Sequence, residues 1–170
     1  MEEARSAYAQ ETQEAMDLAG KYLTFELGQE EYGIGILKIK EIIGMMPITA
    51  VPQTPSFIKG VINLRGKVIP VTDLRMKFGL ETRDYHERTC IIVVEVDCGS
   101  QELVMGLVVD AVSEVANIRG GEIEEAPNFG SGNHAGFVKG MAKIAGGVKI
   151  LLDIDCILTG EQLSCLADMH

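Results

Sequence analysis

The chain carries one hairpin-like segment twice. Residues 57–74 read FIKGVINLRGKVIPVTDL, and residues 137–154 read FVKGMAKIAGGVKILLDI. The two align without a gap: Phe57, Lys59, Gly60, Gly66, Val68 and Asp73 recur as Phe137, Lys139, Gly140, Gly146, Val148 and Asp153. The stretch from Gly33-Ile34 to Lys40-Glu41-Ile42 likewise matches Gly106-Leu107 to Ser113-Glu114-Val115. Self-similarity over this length means two copies of one small unit. One exchange breaks the symmetry: Arg65 is answered by Ala145.

Period-two patterning fills both copies. In YLTFEL, Leu23, Phe25 and Leu27 alternate with Tyr22, Thr24 and Glu26, which predicts a strand with one buried face. Tyr32, Ile34 and Ile36 resume the alternation after a turn. ILKIKEII fits a helical turn or a strand. The prolines of PITAVPQTP exclude a helix interior and favour an extended edge. Leu64-Arg65-Gly66-Lys67 places a glycine where a tight hairpin turn needs positive φ. TCIIVVEV and ELVMGLVVDAVSEV supply further strands. Short strands with turn signals at this spacing predict an all-β chain of two small barrels. The charged, aperiodic ETRDYHER at 81–88 divides them into a first half at 21–88 and a second at 89–158. Residues 1–20 read as a leader, partly disordered or helical with the helix over 6–19, and 159–170 as a short tail or helix. IRGGEIEEAPNFGSGNHAGF reads as a polar, Gly-rich loop.

Composition narrows the function. Hydrophobic residues make up 46 % of the 170, which is enough for a folded core. The net charge of −10 argues against nucleic acid and anionic membranes as partners. The RGG at Arg119–Gly121 sits beside Glu122, Glu124 and Glu125, where the local field has the wrong sign for nucleic acid. No apolar run reaches the length of a membrane span, and the N-terminus does not read as a secretory signal, so a cytoplasmic chain is expected. Cys90, Cys98, Cys156 and Cys165 form no CxxC pair, and His86, His134 and His170 are scattered. No metal site is expected, and all four thiols are read as reduced, Cys90 and Cys156 in strand-like apolar runs.

The sequence offers no nucleotide-binding or nucleophile motif, so no enzyme and no cofactor are expected. Asp73, Asp153 and Asp110 each close an apolar strand and read as turn or helix caps. Met45, Met46 and Met76 read as core filler. Arg65 differs, because a residue at a hairpin tip cannot be hidden by its own strands. It is either a solvated turn arginine or a contact that grips a carboxylate. Phe129 in Pro127-Asn128-Phe129-Gly130 either tucks back onto a barrel or serves as an exposed anchor.

With EYGIGILKIKEI, FIKGVINLRGKVIPVTDLR and GLVVDAVSEV occurring in that order, the chain resembles the CheW family of bacterial chemotaxis coupling proteins over roughly residues 20–160. The resemblance implies two SH3-like five-stranded β-barrels packed together. It implies a scaffold that holds a CheA-type histidine kinase, through its CheW-like regulatory domain, against the cytoplasmic tip of methyl-accepting chemoreceptors. CheW–CheW rings and a place in membrane-associated receptor arrays, without membrane insertion, come with it. Carried onto this sequence, Ile39 and Glu41 line a receptor groove between the barrels. Arg65 pairs with the receptor, Val112 and Val115 belong to the same groove, and Phe129 falls in the loop used near ring contacts. The alternative is a generic SH3-like interaction module of another signalling complex. The peptide grooves of such modules need aromatics, and this chain has no Trp, four Tyr and five Phe.

Overall fold

The computed structural model describes residues 19–97, 102–124, 137–144 and 147–157. The expected terminal helices, Phe129, Cys98 and Cys165 lie outside these residues. Eleven strands are present among those described: β1 Gly20–Leu27, β2 Glu30–Gly35, β3 Ile39–Gly44, β4 Ile58–Leu64, β5 Lys67–Asp73, β6 Cys90–Asp97, β7 Glu102–Val109, β8 Ala111–Ile118, β9 Ile123–Glu124, β10 Val138–Ile144 and β11 Gly147–Leu152. One short helix, α1 (Leu74–Lys77), follows β5. The ambiguous ILKIKEII resolves into a 3-10 turn at Ile36–Lys38 and then β3.

The strands form two sheets, ordered β8-β1-β2-β11-β10-β9 and β3-β6-β7-β5-β4. They are called here the β1 sheet and the β6 sheet. The fold is all-β with two SH3-like units, and the β1 sheet gains the two-residue β9 beyond five strands. The sheets do not divide at residues 81–88. The β6 sheet takes an unbroken run from β3 to β7, and the β1 sheet takes what lies on either side of it. The chain passes between sheets only at the Ile36–Lys38 turn and at Asp110, among the described residues. The expected halves are therefore corrected. Each sheet joins the first two strands of one copy to the last three of the other. The reason is the parallel pairing of β5 with β7, which needs a connection of a dozen or more residues. α1, the irregular segment 81–88 and β6 supply it, so ETRDYHER is a connection within one sheet.

The two copies keep the same register. Val71 pairs with Gly106 across the β5–β7 seam, and Leu151 pairs with Gly33 across the β11–β2 seam. Ile39 and Glu41 face Val94 and Val93 across a bulge, as Val112 and Glu114 face Phe25 and Thr24. Thus β1 corresponds to β6, β2–β3 to β7–β8, and β4–β5 to β10–β11.

β1 departs from the expected single buried face. Leu23, Phe25 and Leu27 enter the large core between the sheets, with Ile92, Val94, Leu107 and Leu152. Tyr22 packs on the opposite side with Ile118, Ala142 and Leu151. The β6 sheet has its own second core around Ile62, Ile69, Val71, Ile91, Val93 and Val108. A strand between two apolar layers is buried on both faces. Thr24 tolerates this because its hydroxyl donates to the Glu114 carbonyl at 3.0 Å.

Asp73 caps α1, accepting from the Arg75 amide at 2.9 Å, and Asp153 accepts from the Asp155 amide at 3.1 Å, as caps should. Asp110 is corrected. It receives the Arg75 guanidinium through Nε at 2.7 Å and Nη2 at 2.5 Å, and the Gly28 amide at 2.8 Å. A matching clamp stands on the other copy with the charges exchanged. Asp155, the counterpart of Arg75, accepts from Lys38 Nζ at 2.7 Å and from the Asp97 amide at 2.8 Å. Cys156 is also corrected: it lies in a 3-10 turn (Ile154–Cys156) and is exposed, while Cys90 is half-buried on β6.

Candidate interaction site

The β4–β5 hairpin turns through Arg65 at φ 51° and Gly66 at φ 87°. Two successive positive values are what a type I′ turn requires, and its twist matches the flanking strands. Glycine was legible from the sequence at the second place. A left-handed arginine at the first was not, because side chains with a Cβ rarely adopt it. The Asn63 side chain accepts from the Gly66 amide at 2.9 Å and holds the turn. Arg65 thereby projects from the tip, largely exposed, and its guanidinium pairs with the Glu41 carboxylate on β3. The structure thus brings Glu41 and Arg65 together, although β3 and the β4 strand that leads into the Arg65 turn are the two opposite edges of the β6 sheet.

Ile39 is half-buried and packs on the core between the sheets. Val112 occupies the corresponding position on β8, beside the corresponding bulge, and packs on the same core. A bulge re-aims the side chains beside it. The two residues therefore approach the intersheet core from the edge strands of opposite sheets. Val115 is 54 % exposed, and its counterpart Ile42 is 45 % exposed. Ile42 was missed in the sequence, where it alternates like any strand residue; the signal available was its alignment with Val115. Leu37, on the turn that carries the chain between sheets, is 97 % exposed and was also missed. Glu124, one of the carboxylates beside the RGG tripeptide, pairs with Lys143.

Ion pairs fix the frame around these residues. Burial works against ionisation of Asp110, yet the Arg75 guanidinium and the Gly28 amide hold its carboxyl below the usual range. The Asp155 carboxylate raises the Lys38 ammonium above the ordinary lysine value. On the β1 sheet, Lys149 Nζ lies 2.8 Å from Glu31 and 3.7 Å from Glu114, and the Ser113 hydroxyl donates to Glu31 at 3.2 Å. Lys149 holds the Glu31 carboxyl below its ordinary value. Met45 and Met46 pack partly on the core of the β6 sheet and, with Ile48, Lys59 and Tyr85, line an open depression of about 530 Å³. Among the described residues no group of His, Cys, Asp and Glu is placed to hold a metal, and no helix is long and apolar enough to cross a membrane. The site offers ion pairing and apolar contact at an edge-strand seam, which is the chemistry of protein recognition.

Residues 21–162 match the model of the CheW-like domain. The chain belongs to the CheW family. A chemotaxis protein CheW of Klebsiella aerogenes is 40 % identical over 144 residues, covering 85 % of this chain and 84 % of that protein. The CheW of Rhizobium meliloti is 32 % identical over 155 residues, covering 86 % and 97 %. Among solved structures, the scaffolding protein TtCheW from Thermoanaerobacter tengcongensis superposes with a TM-score of 0.75 at 36 % identity, covering 85 % of this chain and 96 % of that one. The chain is thus a CheW-like chemotaxis scaffold. Of the residues carried over from the CheW resemblance, Glu41 and Arg65 meet directly, and Ile39 and Val112 share the intersheet core. Val115 stands exposed on β8, and Phe129 lies outside the described residues.

Proposed function

We propose that this chain couples a CheA-type histidine kinase to the cytoplasmic tip of methyl-accepting chemoreceptors. The observation that carries the reading is Arg65, held in a left-handed turn, paired to Glu41 and projected beside the seam where Ile39 and Val112 meet the core. In this reading Ile39, Glu41, Arg65, Val112 and Val115 contact the receptor's helical hairpin. Phe129 contributes to rings with the kinase's CheW-like regulatory domain and with other CheW-like chains. The protein works in the cytoplasm at receptor arrays.

The mechanism is positional: no bond is made or broken. Contacts of the micromolar class supply about −8 kcal/mol each, and an array holds because many act together. Signal passes as a shift in the population of kinase states, biased through these interfaces.

Co-sedimentation tests the reading. The chain is mixed with a CheA-type kinase and a membrane-anchored receptor, with and without Arg65→Glu. Kinase should reach the pellet only with the parent chain. Arg65→Glu should weaken receptor binding more than Arg65→Ala, because it adds repulsion toward an acidic surface. Equal pelleting by parent and variants removes Arg65 from the receptor side. A parent chain that fails to link the two moves the generic interaction module to the front.

A further inference from the structure

The internal repeat allows the two joints between the barrels to be compared residue by residue. In each copy the first strand ends on an amide that donates to a carboxylate: Gly28 to Asp110 and Asp97 to Asp155, both at 2.8 Å. Gly28 and Asp97 are equivalent in register, so these are two versions of one fastening. A cation closes each: Arg75 the first, Lys38 the second.

The two versions differ in strength. Arg75 grips Asp110 with two nitrogens and donates through a third to the Glu81 carbonyl at 2.8 Å. Lys38 reaches Asp155 with a single ammonium at 2.7 Å. Bidentate arginine pairs are the stronger kind. The side chains of Arg75 and Asp110 are 8 % and 20 % exposed, against 40 % and 29 % for Lys38 and Asp155. Water and salt therefore screen the second fastening far more. The backbone follows the same division. The Asp110 amide donates to the Glu26 carbonyl at 3.1 Å. Leu37 occupies the place of Asp110 in the repeat, and its side chain lies almost wholly in solvent. Charge adds a push. Lys38 faces Asp97, Asp153 and Asp155, and Lys139 faces the latter two. Carboxylates gathered about one ammonium repel one another when it withdraws.

We propose that the joint between the barrels is fixed on one side and releasable on the other: Lys38 lets go of Asp155 while Arg75 keeps Asp110, and the end of β6 with the Ile36–Lys38 turn then parts from the Ile154–Cys156 turn that follows β11. The core between the sheets is retained. The released form is a minor, locally opened state of the folded chain. This device belongs to the chain alone and does not depend on the receptor-coupling reading.

Amide hydrogen exchange of the full-length chain, followed by NMR and expressed as protection so that residue type drops out, tests it. Asp97, and Ile39 whose amide donates to the Ile36 carbonyl, report the releasable side. Gly28 and Asp110 report the fixed side. Asp97 and Ile39 should exchange together, with protection about tenfold or more below that of Gly28 and Asp110. Added salt and Lys38→Gln should each lower protection at Asp97 and Ile39 several-fold and leave Gly28 and Asp110 as they were. Lys38→Arg, which offers Asp155 two nitrogens, should raise it. Dilute urea should leave exchange at Asp97 and Ile39 unchanged, because a local opening exposes little surface. Equal protection on the two sides of the parent overturns the proposal, and so does a Lys38→Gln variant in which all four amides change alike. Fast exchange at Asp97 beside a fully protected Ile39 reduces the event to movement of one side chain and overturns it too.

Discussion

Arg65 spends its backbone in a region where a side chain is strained, by about 1–2 kcal/mol. An exposed ion pair to Glu41, screened by solvent, returns little against that strain. The fold alone would favour another residue, since asparagine adopts this conformation readily in such turns. Arg65→Asn should therefore leave stability within about 0.5 kcal/mol of the parent, or raise it. Urea unfolding measures this, and co-sedimentation with receptor on the same protein should show lost binding. Strain retained at no benefit to the fold is a mark of a functional position. The sequence displayed the asymmetry, as Arg65 against Ala145, but it could not display the conformation that makes the asymmetry costly. Nor could it reveal Lys149, which reads as a solvated strand lysine until its two carboxylate partners are seen across β2 and β8.

At the scale of elements, the strands were legible and their partners were not. Alternation located β1, and the glycine-bearing turn located the β4–β5 hairpin. In a duplicated chain, however, a strand finds nearly the same apolar pattern in either copy. The exchange is decided by how each copy leaves its second strand. After β2 and after β7 the chain turns immediately toward the facing sheet, and the long return through α1 and 81–88 makes the parallel seam. Asp110 was misread for the same reason: its partners, Arg75 and Gly28, belong to the other copy. The Arg75 side chain is only 8 % exposed, so removing its counter-charge strands a buried cation. Asp110→Asn should cost about 3 kcal/mol, the scale of breaking a buried pair from one side. The pH dependence has a definite sign. The folded carboxyl titrates below its ordinary value of about 3.9, so its contribution is complete above that pH and fades as pH falls through the lowered value. The parent should lose stability more steeply than Asp110→Asn as pH falls below about 4, as thermal unfolding over a series of acidic pH values would show.

At the scale of the whole molecule, the duplication produced one body rather than two beads. Cutting within 81–88 leaves fragments that each hold two strands of one sheet and three or more of the other. Neither fragment can complete a sheet or cover the core between them. Each should be unfolded alone and regain β structure when the two are mixed. Circular dichroism of the separate and combined fragments decides it, and a fragment that folds by itself would contradict the exchanged topology.

The two passages between sheets, at Ile36–Lys38 and at Asp110, also limit how the protein can deform. Two short tethers act like a pair of pins. Tilting one barrel against the other is easiest about the line through both, and any other tilt stretches backbone. Each pin is braced, one by Arg75 and the other by Asp155, and the Arg75 brace is the better buried. A displacement applied at the Arg65 hairpin would therefore emerge at the far barrel as rotation about a single axis, with little lost to bending on the way.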